Sequence, residues 1–280
     1  MSSENGRKSE SSDSGPASNG PRSNARVASA WGAARDALAA VRNLETLLRS
    51  ATVPDKTLVD LVPELRETAG VLREAFDRSR AGDPATAAVG AHGQLQVDTL
   101  DELLDRLVEQ TSTRGDLARR AGLLADELAA AVELLVLLDR AAAPLPTEVT
   151  LVLVAREMGR MSGSAHGREL IVRFDEARPD RAVQADPNVL GPLLALLVAW
   201  CESVGHGALV LRAKSVPGAL FVIETATPAD AHLPTLSLRA MPWISPSEAA
   251  ARHVAAQLHA TLTIESGPSG VRATVAIPAD

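Results

Sequence analysis

Six histidines (His92, His166, His206, His232, His253, His259) and one cysteine, Cys201, are the side chains best suited to metal binding or nucleophilic work. A zinc site on a helix needs two imidazoles a turn apart, as in H-x-x-x-H or HExxH, and no such pair occurs. His253 and His259 are six residues apart, on poorly matching faces of one expected helix. Cys201 lies in an apolar run and has no second cysteine with which to form a disulfide. No G-x-S-x-G elbow or Walker loop is present, which removes the commonest signatures of serine hydrolases and P-loop nucleotide enzymes. Asp101-Glu102 with Asp105-Arg106 has the charge of a paired-carboxylate site, but at helical spacing it reads as a solvated face. Arg119-Arg120 is too small a basic patch for nucleic acid.

The elements that would have to position such groups follow from composition and period. The 280 residues are 46% hydrophobic and 2% aromatic with no Tyr, an Ala/Leu/Arg-rich balance that suits helical packing. The net charge of −7, with Lys8, Lys56 and Lys214 as the only lysines, argues against nucleic acid as the main partner. Charges, Gly or Pro interrupt every apolar stretch and no apolar leader opens the chain, so a cytoplasmic protein without a membrane span is expected.

Residues 1–25 hold Ser, Asn, Gly, Pro and charge with little to bury, and are expected to form a disordered tail. A helical part is expected over 26–145. Leu38, Val41, Leu44, Leu47 and Leu48 mark one apolar face; Leu58, Leu61, Val62, Leu65, Ala69, Leu72 and Phe76 mark a second, after a break at Pro54-Asp55. The Gly/Ala/Pro-rich stretch over about 81–97 reads as a linker. A helix then spans Asp98 to Gln110, TSTRGD (111–116) makes a turn, and Leu117, Ala121, Leu124, Leu128, Ala131, Leu135 and Leu138 form a long seam. Such a seam serves equally as the core of one chain's bundle or as a dimer interface.

After Pro144 and Pro146 the period changes. Short β-rich runs at 170–176, 208–215, 219–225, 261–266 and 271–278 alternate with helices expected at 187–203 and 246–259 and a further candidate at 147–160. The fold class is therefore α+β: an N-terminal all-α helical bundle followed by a two-layer α/β sandwich over 147–280.

The order of elements in this second half resembles the ATPase domain of histidine kinases. VLVAREM (152–158), ELIVRFD (169–175), ADPNVLGPLLALLVAW (185–200), two paired strands and QLHATLTIESGPSGVRATVAIP (257–278) follow one another as in that family. RDALAAVRNLETLLR (35–49) is similar to the helix after the family's phosphoacceptor histidine.

What the resemblance implies is mainly a set of missing groups. The phosphoacceptor position falls near Gly32, where no imidazole is present. The Mg-binding asparagine falls at Trp200, which offers no oxygen. The adenine-binding DxGxG loop is matched by Glu224-Thr225-Ala226-Thr227-Pro228, with both glycines replaced at Ala226 and Pro228. The phosphate-facing GxG turn is matched by Ser245-Pro246-Ser247-Glu248, where Ser245 and Ser247 bring β-carbons and Glu248 a negative charge. Read without the resemblance, Trp200 and Cys201 are core, and Ser245-Pro246-Ser247 is a helix cap.

The expected protein is thus a histidine kinase-like pseudokinase with no enzymatic activity, no cofactor and no metal. It would act as a signalling regulator or scaffold on a response regulator, a kinase or an assembly component, with a homodimer formed through the bundle. His92, in the Gly-flanked stretch GAHGQ, supports an alternative as a histidine phosphotransferase. A cytoskeletal or polymer adaptor using tail and bundle is a third reading.

Overall fold

A computed structural model describes residues 20–150, 153–154, 169–174, 182–205, 208–214, 218–226, 235–237, 243–267 and 270–278. Five helices come first: α1 (Gly20–Arg49), α2 (Asp55–Asp60), α3 (Val62–Ser79), α4 (Pro84–Glu109) and α5 (Arg114–Ala141). Helix α1 begins inside the stretch expected to be a disordered tail up to residue 25. Pro21, one position into the helix, is compatible with a helical first turn; residues 1–19 lie outside the described residues. The second expected helix is split at Leu61, because Pro63 has no N–H to continue the ladder of α2.

The largest departure from expectation is the linker at about 81–97, which is the first half of α4. Asp83 caps this helix: its Oδ1 accepts the Ala85 and Thr86 N–H groups at 2.9 and 3.1 Å, and Pro84 follows at the position where a missing N–H costs nothing. The glycines that suggested a linker serve close packing instead. A Cβ on Gly93 would lie 2.3 Å from the Phe76 ring of α3, and one on Gly90 would lie 2.9 Å from the Phe76 carbonyl oxygen. Helix α4 ends at Gln110, whose φ of 53° is left-handed, and α5 starts under a Thr113 cap.

Helices α1, α3, α4 and α5 close an antiparallel four-helix bundle within one chain, α1 packing on α3 and α5, and α4 on the same two. Arg35 makes a bidentate bond to Glu133 at 3.0 Å across α1 and α5, and Arg73 reaches Asp98 and Asp101 across α3 and α4 at 3.1 and 2.6 Å. The long seam on α5 is buried in this intrachain core along its whole length from Leu117 to Leu138.

The second half carries strands β1 (Thr147–Thr150), β2 (Glu169–Phe174), β3 (Ala182–Ala185), β4 (Ala208–Lys214), β5 (Ala219–Ala226), β6 (Thr235–Ser237), β7 (Thr261–Gly267) and β8 (Gly270–Ile277), with helices α6 (Pro187–Val204) and α7 (Ser247–Gln257). The β-branched Thr147, Val149 and Thr150 form strand β1 where a helix was expected to start; of the rest of that candidate only 153–154 are described, and they are helical. Strands β1 and β3 pair alone, and six strands form a sheet in the order β6-β2-β4-β5-β8-β7, with β2 and β4 parallel and the others antiparallel. The α+β class, a bundle followed by a mixed sheet with helices, is the fold observed.

Helices α6 and α7 lie between this sheet and the bundle, touching β5 and β8 or β7 on one side and α5 on the other. That double contact explains why residues 189–201 are all buried. By length and composition α6 is apolar enough to cross a membrane, and here it is the core helix of the second half. Asp186 fixes its start, accepting Asn188 N–H at 2.9 Å and, from the segment leaving α5, Leu145 N–H at 2.8 Å.

Candidate functional site

Trp200 sits in the last turns of α6, with 7% of its surface exposed. Its ring lies against Trp243, centroids 6.4 Å apart and planes tilted by 58°. Trp243 precedes the segment that enters α7, so the fold brings Trp200 to the same neighbourhood as Ser245 and Ser247. An edge-tilted indole pair is a favourable packing arrangement and presents no oxygen to a metal.

At the start of α7, Ser247 folds back on the residue that precedes the helix turn. Ser247 is fully buried; its Oγ accepts the Ile244 N–H at 3.0 Å and its own N–H donates to the Ile244 carbonyl at 2.9 Å. Glu248 places a carboxylate in the first turn, paired with Arg252 at 2.8 Å. This charge satisfies the helix dipole and repels an anion at the same place.

Glu224 faces the other way. Along β5, Phe221 and Ile223 are buried, the backbone oxygen of Ile223 accepts from Cys201 of α6, and a Cβ on Gly205 at the end of α6 would touch Thr225. Because side chains alternate across a strand, Thr225 is on the helix side and Glu224 on the opposite face of the sheet. The carboxylate expected to mark an adenine-binding position therefore points away from α6 and α7. There it bonds Arg212 Nε at 2.6 Å and Arg272 Nε at 2.9 Å, one arginine from each neighbouring strand. Glu265 lies across from Arg272 on β7 and extends the row of alternating charge.

Burial pushes the Glu224 carboxyl up, but the hydrogen bonds and charges of Arg212 and Arg272 outweigh it and hold it below its ordinary value of 4.5. A depressed native pKa stabilises the fold fully above the unfolded value and less as pH falls through the native one. Glu224→Gln is therefore expected to lower Tm at neutral pH and to flatten the loss of Tm below about pH 5, which thermal melts across acidic pH would check. Parallel pH profiles for variant and wild type would remove Glu224 from acid sensitivity.

The remaining candidates are scattered. Gly32 lies part-exposed on α1, with open space where a Cβ would stand. Ala226 ends β5, and Pro228 lies outside the described residues, as do His166, His206 and His232. His259 stands just beyond α7 with a left-handed φ of 53°, so it shares no helix with His253. Burial pushes the Cys201 thiol up to about 12, which leaves it protonated and unreactive. Asp101 and Asp105, read as a solvated face, bind Arg73 and Arg66 of α3 and clamp two helices together.

His92 is on α4 and not in a loop, because the stretch around it is helical. Its Nε2 is buried and lies 3.4 Å from a Glu127 carboxylate oxygen on α5, without a hydrogen bond. Among the described residues no group of three or more His, Cys, Asp or Glu side chains is arranged to hold a metal.

Sequence reasoning missed Trp243, the helix-facing side of Thr225 and the Arg212–Glu224–Arg272 set. The alternation of Phe221 and Ile223 carried the sign of the last two; nothing local marked Trp243 as the partner of Trp200.

No protein-family model matches this sequence, and no curated protein matches it. Among solved structures the chain is similar to the histidine kinase AdeS of Acinetobacter baumannii at 15% identity and a TM-score of 0.47, over 66% of this chain and 95% of that one. It is similar to a bacterial phosphotransferase at 13% identity and a TM-score of 0.37, over 68% and 92% of the two chains. The cytoplasmic segment of histidine kinase QseC aligns at 12% identity and a TM-score of 0.30, over 48% and 79%. At these values none of the three assigns chemistry to a residue of this chain.

Proposed function

We propose that this chain is a non-catalytic, histidine kinase-like signalling or scaffolding protein that works by binding other proteins through its bundle and its α/β body. The observation that carries the reading is the packing of Trp200 on Trp243 beside a start of α7 that holds the buried Ser247 and the Glu248 carboxylate. A phosphate-binding helix start needs free amides, and here a serine, a proline and a glutamate occupy the first positions. Response regulators, active kinases and components of larger assemblies are the partner classes this reading favours, with copies of the chain itself a further one. Incubation with γ-labelled ATP and magnesium is expected to leave the full chain unlabelled, with no saturable micromolar binding of the nucleotide. Self-labelling or such binding sinks the proposal.

The position of His92 on a helix, beside a carboxylate, favours a second reading as a phosphotransferase. Against it stands the burial of Nε2, since an accepting nitrogen has to meet the phosphoryl donor. Offering labelled phospho-regulators to wild type and His92→Ala separates the two: transfer that depends on His92 supports the relay, and its absence in both supports the scaffold.

A further inference from the structure

A cavity of about 310 Å³ opens at the bundle end where Asp83 of α4 approaches His253 of α7, 3.4 Å away. Trp31 of α1, Leu135 and Leu138 of α5 give it an apolar wall, and Arg78, Asp83 and Asp139 bring charge. Its volume is at the lower end of the range that small-molecule sites occupy, and the space between bundle helices is a common place for them.

Most of its polar groups are already engaged. The Ser79 hydroxyl donates to the Ala75 carbonyl at 3.0 Å, and that of Thr86 to Asp83 at 2.6 Å. Asp83 also accepts two amides of α4, and Arg78 turns back to the Glu74 carbonyl at 3.3 Å. Asp139 is different. Burial raises its carboxyl above the usual range, against the opposing effects of a hydrogen bond with the Trp31 side chain and the charge of Arg140. An ionised carboxylate has about four acceptor sites, more than one indole N–H could fill.

A cation that donates hydrogen bonds supplies what this half-buried charge lacks. An apolar body attached to it would cover Leu135 and Leu138, and the Trp31 ring attracts positive charge to its face. We propose that this cavity binds a small primary amine, its ammonium on Asp139 and its apolar body against Trp31, Leu135 and Leu138. The proposal adds a small-molecule site to a chain read above as a binder of proteins, and it does not depend on that reading.

Benzylamine is a suitable probe and benzyl alcohol its uncharged control, each titrated into the full chain at neutral pH and followed by tryptophan fluorescence and thermal shift. Benzylamine is expected to bind saturably with a Kd on the order of 1 mM or tighter. The alcohol is expected to bind at least about tenfold more weakly, as loss of a charge-assisted hydrogen bond requires. Asp139→Asn should reduce the amine to the level of the alcohol. Ala142→Trp, at an exposed rim position, should block the amine and serves as the deciding variant if Asp139→Asn does not fold. No saturable response to benzylamine, equal affinity for the two probes, or amine binding unchanged in the variants overturns the proposal.

Discussion

Gly93→Ala is expected to destabilise the wild-type chain by about 1–3 kcal/mol, and to stabilise a Phe76→Ala chain by up to about 1 kcal/mol. The reversal of sign follows from one contact. An alanine methyl at position 93 would sit 2.3 Å from Cδ1 and 2.4 Å from Cε1 of Phe76, distances that force α3 and α4 apart. Phe76 is fully buried and among the largest such side chains in the core, so removing its ring alone is expected to cost about 3–5 kcal/mol. Once the ring is gone, the clash goes with it, and what is left is the ordinary preference of a helix for alanine over glycine. Denaturant unfolding of the two single variants and the double variant gives the coupling directly. Additive effects would mean that the ring does not lie across from Gly93.

Trp200→Ala is expected to cost about 3–5 kcal/mol, because it removes a nearly buried indole together with its contact to Trp243. Trp200→Asn introduces the side chain that the histidine kinase resemblance would place there, and it is expected to give no Mg–ATP-dependent rise in Tm. The metal-facing oxygen is one requirement among several, and the variant leaves Ser247 bonded to Ile244 and Glu248 in the first turn of α7. A nucleotide would still meet a carboxylate where its phosphates need amides. A clear Mg–ATP-dependent stabilisation of this single variant would show that one residue had closed an otherwise competent cleft, and the non-catalytic reading would fail.

The helical faces were legible because their apolar residues recur at the helical period, from Leu38 to Leu48 and from Leu117 to Leu138. The five β-rich runs were legible by their branched residues and all five are strands. The first half of α4 was hidden by composition. Gly90 and Gly93 are there so that two helices can approach closely, and glycine placed for contact looks in sequence like glycine placed for flexibility. Asp83-Pro84 was the local sign of a helix start that outweighed them. The direction of Glu224 was written in the alternation of β5, but the arginines that hold it come from β4 and β8, the second of them 48 residues away. The cavity beside Asp139 draws on four helices and has no trace in any one segment.

All four long helices of the bundle come from one polypeptide and pack on one another. Where such a bundle folds without a second copy, its folding equilibrium carries no concentration term, in contrast to obligate dimers whose protomers are unstable when dilute. A partner that docks on a bundle already closed joins a finished part, and the binding energy is not diverted into ordering those helices.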